Sequence, residues 1–557
     1  KLNTGEAFTA EERELLAPYV TNTDASVFAL TNLPEVIKGA LFSRYSRSTL
    51  GLRRLLLKEF IQASEAQFAS IAGAMAYPTA GKQSGLAIGK AQDFYDRILD
   101  GYGDDSIGEL GGAHLAIENV SMIATKVIED ARIGGSPLEK STRYVSFGQK
   151  VDGDYLFYKE PALMASKHAA RYVETCRHLF ETYQALMEPV SARIAEIAPR
   201  SAKTDEKAWR QSVRARTFDV LRGVLPASTV TNMGVFGNGR FFENLMTKLQ
   251  YSHLAELREI GGAAYQELNK VIPSFVRRAN PGHGHFAGYR DHARAQEKAI
   301  LKSAAALPLP VPEPSKKGPW VRLVDFDPEA EAKINAALFY PHNPQGLSAL
   351  REWASEMPEV ERGALFESLA EARGNRRHRP PRAFELAFFT FDLVGDFGMY
   401  RDLHRHRMLT QQRQPLTTRL GYVLPEEVED AGVAPRYREA MDKAAEAFEA
   451  IVADHPAEAQ YVVPMQYHIR WNMNVNLRAL IWLVELRSQP QGHPAYRRMA
   501  QDMFRAVREI QPRLAPLFKF VDMQGSKGGA RDMLGRLDAE KRKEQKKQLE
   551  FALDESA

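Results

Sequence analysis

Arg405-His406-Arg407 sets two arginines and a histidine side by side, and Gln411, Gln412, Arg413, Thr417 and Arg419 follow closely. Guanidinium groups are planar forks that grip phosphate through paired hydrogen bonds, and hydroxyls add donors at little steric cost. Cations this crowded repel one another unless an anion neutralises them. The chemistry implied is binding of a phosphate-bearing ligand. The competing reading is a solvated basic end of a helix, where cations are favoured by the backbone dipole. His404 and His406 are not read as a metal pair, because no carboxylate or cysteine set accompanies them.

The rest of the chain repeats the spacing around this cluster. Glu385 stands 20 residues before Arg405 and 34 before Arg419. Glu109 stands the same 34 residues before Arg143, within Ser141-Thr142-Arg143, and its 20-residue position opens Glu129-Asp130-Ala131. A second interval agrees: Pro226 precedes Arg240 by 14 residues, and Pro464 precedes Arg478 by 14. The chain therefore reads as two diverged copies of one unit, and the second alone keeps the cationic triplet.

Each copy must supply elements that carry these residues. Residues 388–393 are aromatic and β-branched and predict a strand, which Gly395 breaks; 397–406 predict a helix that delivers Arg405-His406-Arg407. The counterparts are a strand over 113–118 and a helix over 121–130. Residues 476–487 predict a further helix, with Leu477, Leu480, Ile481 and Val484 on one face. Short strands at 27–30 and 321–324 open the copies, followed by Pro34 and Pro328 as helix-start residues. Alternating prolines over 304–319 favour an extended spacer. The expected organisation is a first unit over 1–303, the linker, a second unit over 320–524 and a charged tail over 525–557. The expected fold class is α+β, two tandem copies each with an antiparallel sheet and long helices.

Composition narrows the partners. A net charge of +4 on 74 basic and 70 acidic residues does not call for nucleic acid. Cys176 is the single cysteine, so no intrachain disulfide or cysteine-rich metal site exists; it falls in a helical stretch read as surface-like. No run reaches the roughly 20 apolar residues of a membrane helix, and a cytoplasmic protein is expected. Tyr467, His468, Trp471 and Asn472 read as core packing in preference to base stacking. Gly103-Asp104-Asp105-Ser106 reads as a turn.

The order of residues resembles the flavin-dependent (alternative) thymidylate synthases. Arg405-His406-Arg407, Thr417-Thr418-Arg419, Val463-Pro464 and Asn476-Leu477-Arg478 follow Glu385 in the family's order, with Arg487 and Arg505 in its later arginine places. The first copy fits with Glu109, Ser141-Thr142-Arg143, Leu225-Pro226 and Asn238-Gly239-Arg240. The resemblance implies FAD as cofactor, dUMP as substrate, and methylene-tetrahydrofolate and NADPH as co-substrates. By carry-over, Arg405, His406, Arg407 and Gln412 contact FAD; Thr417 and Arg419 take the dUMP phosphate; Arg478 and Arg505 reach the nucleotide from a neighbouring unit. Ser141, Arg143 and Arg240 are the corresponding substrate residues of the first copy. Family members are homotetramers, so a fused pair implies a homodimer that forms a pseudo-tetramer.

Departures matter as much. Both copies carry a loop two residues longer than the family's before the final arginine. Thr417 replaces the family's serine, and Glu267 holds the first-copy place of Arg505. The family's late Ala-Gln-x-Glu-Ile-Arg segment is reduced to Gly492-His493-Pro494-Ala495-Tyr496-Arg497. The carboxylates of Glu129 and Asp130 would repel a phosphate where the second copy attracts one. Two further functions fit the sequence: a flavoenzyme acting on another pyrimidine nucleotide or on uracil in nucleic acid, and a non-catalytic binding or scaffold protein.

Overall fold

A computed structural model of the chain describes residues 7–45, 48–62, 108–131, 133–142, 145–200, 202, 204–307, 318–490 and 492–524. Arg143, the 103–106 turn, much of the proline-rich linker and the charged tail lie outside the described residues. The chain forms two compact units whose boundaries differ from those of the two copies. One unit takes Lys1–Glu118, Val127–Glu139 and Asn232–Val311; the other takes Asn119–Lys126, Lys140–Thr231 and Pro312–Ala557. The helical middle of the first copy thus belongs to the compact unit built on the second.

The first unit opens on short helices, Ala10–Leu16 and Glu35–Tyr45, around a cluster of Phe8, Leu16, Ile37, Leu41, Leu55 and Ile61. Thr9 and Glu12 form a reciprocal capping box on the first of these helices. The expected strand at 27–30 is absent. That segment forms an isolated bridge, Val20 with Leu30, and bonds Thr21 through Ala29, but among the described residues no neighbouring strand continues the ladder. A three-stranded sheet, in the order Gly112–Ser121, Val230–Asn238, Gly135–Glu139, belongs for the most part to this unit. Helices Gly239–Gln250, Ala255–Val271 and Gly284–Ala306 follow.

The second unit is organised on a four-stranded antiparallel sheet, in the order Trp320–Phe326, Phe388–Asp396, His468–Asn476, Leu409–Arg413. Its central strands alternate as a sheet covered on one face requires: Phe389, Phe391 and Leu393 are buried while Phe388 is exposed. Gly395 does not break the strand, which runs on to Asp396. A Cβ at Gly395 would collide with Met399, so the glycine permits a close approach. Asp396 then caps the helix Phe397–Leu403, accepting from the Met399 N–H at 2.7 Å.

Within this unit the two copies meet about their landmark prolines. Pro226 and Pro464 form an antiparallel bridge. The Ala227 N–H donates to the Val463 carbonyl at 2.8 Å, and Met465 N–H to the Leu225 carbonyl at 2.9 Å. Two flanking bonds are likewise reciprocal, Ser228 to Tyr461 at 3.0 Å and Gln466 to Gly223 at 2.8 Å. Donor and acceptor occupy the same place relative to each proline, which is the signature of a two-fold contact between equivalent units. The equivalent helices Ala169–Ala185 and Ala434–Val452 also pack on each other.

Cys176 lies on the first of these helices and is fully buried, not surface-like. Its face is the one that packs inward, beside Tyr172, Leu179 and Phe180. Burial pushes the thiol up to about 12, with Ser228 Oγ 3.6 Å from Sγ. Tyr467 and Trp471 are core residues too, and the Tyr467 hydroxyl donates to the Met441 carbonyl.

Candidate functional site

The Arg405-His406-Arg407 turn follows directly on the helix Phe397–Leu403 and leads into the Leu409–Arg413 strand. Its position is fixed from beneath by His404, which is buried and stacks on Tyr400 with ring centroids 5.0 Å apart. Tyr400 in turn meets the edge of Trp471 at 5.3 Å. The turn lines a cleft of about 350 Å³, within the usual range for small-ligand sites.

Seven arginines border this cleft, Arg373, Arg376, Arg379, Arg405, Arg407, Arg478 and Arg487, against one carboxylate, Glu385. Arg487 Nε donates to His406 Nε2 at 3.1 Å, which ties the turn to the end of the helix Leu477–Arg487. Burial lowers the pKa of Arg487; Asp402 and Tyr496 oppose this, and Arg405 reinforces it. Arg373 is locked by both carboxylate oxygens of buried Glu485, at 2.8 and 2.7 Å, and by the Leu517 carbonyl.

The Asn-x-Arg motif has a local explanation. Asn476 caps the helix Leu477–Arg487 by accepting from Ala479 N–H at 2.9 Å. Arg478, in the first turn, reaches Glu385 at 2.8 Å and the Pro380 carbonyl at 2.7 Å. The first copy repeats this: Asn238 caps Gly239–Gln250 through Phe241 N–H at 2.8 Å, and Arg240 reaches Glu109 at 2.8 Å. Arg382 and Arg478 hold Glu385 below the usual carboxylate range. The glutamate that opens the 34-residue interval of each copy is therefore the partner of the arginine that closes its 14-residue interval.

The remaining residues of interest are dispersed. Arg419 lies outside this cleft in an exposed two-pronged pair with Glu449, both bonds at 2.9 Å. Thr417 Oγ1 accepts from Arg419 N–H at 3.4 Å. Gln412 stays on the sheet, accepting from Asn472 at 3.4 Å. Arg505 pairs with Asp502 and borders a second cleft of about 540 Å³, with Arg216, Trp320, Asp396, His468 and His493 among its lining residues. In the first copy Ser141 and Arg240 are described and Arg143 is not. Glu129 is buried where the second copy carries Arg405, and Glu267 pairs with Lys270.

Sequence reading missed several lining residues, Arg373, Arg376, Arg379 and Trp482 among them. The available signal was the density of Arg373, Arg376, Arg377, Arg379 and Arg382 immediately before Glu385. A second unread residue is Arg222. It is buried, donates to Thr142 Oγ1 at 3.3 Å, and lies 3.2 Å from Asp219 and 3.9 Å from Asp402. Among the described residues no cluster of three or more His, Cys, Asp or Glu is placed to hold a metal ion. No described helix is long and apolar enough to cross a membrane.

A mixed fold of helices and small antiparallel sheets, duplicated within one chain around an arginine-lined cleft, defines the class. The thymidylate synthase complementing protein model matches residues 59–274 and again 322–513. The chain belongs to that family, the flavin-dependent thymidylate synthases, as a tandem-duplicated member. It is 50% identical over 538 residues to a UPF0159 protein of Chlamydia muridarum, covering 96% of this chain and 98% of that one. A UPF0159 protein of Thermoplasma acidophilum is 34% identical over 532 residues, covering 91% and 98%. Among solved structures, a UMP/dUMP methylase from Streptomyces cacaoi bound with 5-Br dUMP matches 37% of this chain and 97% of its own, at 20% identity and a TM-score of 0.29. A likeness that low carries no argument about the site.

Proposed function

We propose that the protein is an FAD-dependent thymidylate synthase-like enzyme that methylates dUMP to dTMP, with methylene-tetrahydrofolate as carbon donor and NADPH as hydride donor. The observation that carries this reading is the cleft of the second copy, where seven arginines face one carboxylate. Family membership supplies the reaction class. The donor set fits a flavin dinucleotide: forked guanidiniums match phosphate oxygens, and the apolar wall of Ile481, Trp482 and Leu486 suits a planar ring. FAD, when bound, supplies the redox chemistry that the chain itself lacks.

The chain's own residues bind and orient. Arg405 and Arg407 would hold the phosphates, and His406, which accepts from Arg487, would hydrogen-bond the ligand beside them. Arg478 is pre-positioned by Glu385 and keeps its remaining N–H groups for the ligand. Arg419 would exchange Glu449 for the dUMP phosphate. The exposed pair it leaves is worth only about 0–1 kcal/mol, so the exchange costs little. Arg505 would serve a site completed by a second chain, in a homodimer with pseudo-tetrameric symmetry. Positive field focused by the cleft would stabilise negative charge developing on the pyrimidine.

The test is tritium release from dUMP labelled at C5, with methylene-tetrahydrofolate, NADPH and added FAD. Release that requires all three supports the assignment. Protein that binds FAD yet releases no tritium would point to a different nucleotide.

A further inference from the structure

Charges of alternating sign run in one row from the first copy to the arginine cleft of the second. Glu427 accepts from Arg216 Nε at 2.9 Å, and Arg216 stands 3.6 Å from Asp219. Asp219 is 3.2 Å from Arg222, and Arg222 is 3.9 Å from Asp402. Asp402 attracts Arg487, which ends the row by donating to His406 Nε2 at 3.1 Å. Arg216, Asp219 and Arg222 come from the first copy; Glu427, Asp402, Arg487 and His406 come from the second. Glu427, Arg216, Asp219 and Arg222 are buried, so salt screens their attractions little.

Arg222 is the link at which the row reaches the cleft. It opens the short turn Arg222–Val224 after the helix Glu206–Leu221, and Thr142 Oγ1 accepts from it at 3.3 Å. Thr142 belongs to Ser141-Thr142-Arg143, so the first copy's own loop motif helps to hold this arginine. Asp402 lies in the last turn of the helix Phe397–Leu403, which leads directly into Arg405-His406-Arg407. The support runs one way. Arg222 stands four residues before Pro226, and the residue four before Pro464 is uncharged Gln460, which accepts from Leu416 N–H at 3.0 Å. A carboxylate between two guanidiniums is held by both; with one removed it follows the other, and the bonds beyond it shift. We infer that Arg222 of the first copy is a positioning residue for the second copy's cleft, holding Asp402 and through it the Arg487–His406 end of the site. The effect on ligand binding rests on the flavin reading of that cleft, whereas the positioning of the turn does not.

Hydrogen exchange read by mass spectrometry on the full chain without ligand tests the positioning. Arg222→Gln and Asp402→Asn should each speed exchange of the peptide spanning 404–409 by about threefold or more. Arg222→Lys, which keeps the charge but not the fork, should recover about half of that change or more. Slow exchange retained in the strand His468–Asn476 establishes that a variant is folded, and near-isosteric Asp402→Asn carries the test should Arg222→Gln fail to fold. Faster exchange confined to the segments around Thr142 and Asp219, or a lysine variant no better than glutamine, overturns the inference. FAD affinity, followed by absorbance, should fall about fivefold or more in either single variant. The double variant Arg222→Gln, Asp402→Asn should bind no more weakly than the weaker single one, because the pair acts as a unit; additive losses overturn the inference. A wild-type chain that takes up no FAD, while the turn responds as stated, overturns the flavin reading alone.

Discussion

Asp396 closes the central strand of the second unit with its carboxyl buried, and burial pushes its pKa up to about 6, opposed by the Met399 N–H and by Arg222. A carboxyl whose folded pKa is raised binds its proton more tightly when folded than when unfolded. Its contribution to stability is therefore greatest below about pH 4 and is lost as pH rises through about 6. The shift bounds the effect at about 3 kcal/mol, at 1.4 kcal/mol per unit. Asp396→Asn keeps an oxygen to cap the helix and removes the titration. Urea midpoints of the variant should gain on the wild type between pH 4.5 and 7; parallel profiles would refute the burial account. Cys176 gives a second test at this scale. With its thiol buried and raised to about 12, it should resist a thiol reagent in the native protein and react fully on unfolding. Rapid native labelling would contradict the packing described for that helix.

At the scale of elements, what was legible in the sequence was what local chemistry dictates. Asn476 marks a helix start because its side chain satisfies an orphan N–H group, and the strand leading toward Arg405 follows from side-chain type, whereas the helix expected over 397–406 stops at Leu403 and leaves Arg405-His406-Arg407 in the turn beyond it. The elements that failed depended on distant neighbours. Gly395 reads as a breaker in isolation, but the strand carries on through it to pair with His468–Asn476, and the methyl group of distant Met499 packs close against it. Residues 27–30 have the apolar character of a strand but no partner ladder. The site was legible in part: Arg405, His406, Arg407 and Arg478 share one cleft, whereas Arg419 and Arg505 point elsewhere. No spacing rule revealed that Arg376 and Arg379 fold back over Trp482. Nor did any reveal that Arg216, on the helix Glu206–Leu221, is bonded to Glu427, with both side chains buried. Asp219 stands 3.6 Å from the same guanidinium and would partly offset the loss, so Glu427→Ala should cost about 1–3 kcal/mol for the bonds left unmade. Double substitution to apolar residues of similar volume should recover much of the loss, as read by chemical denaturation; a neutral single variant would show the pair to be solvated.

The whole molecule is a duplication whose halves have diverged in charge while keeping their mutual contact. Reciprocal hydrogen bonds about Pro226 and Pro464 preserve the geometry of a symmetric dimer inside one chain. Chemistry has become unequal: Glu129 is buried where the second copy presents Arg405, yet Glu109–Arg240 survives as the twin of Glu385–Arg478. Such a chain should bind one flavin rather than two, with the first copy acting as scaffold for the second. Equilibrium binding of FAD, followed by its visible absorbance and counted per chain, tests this most directly. The predicted result is one FAD per chain, lost in Arg405→Ala combined with Arg407→Ala and retained in Arg240→Ala. Two flavins per chain, or equal losses in both variants, would contradict it.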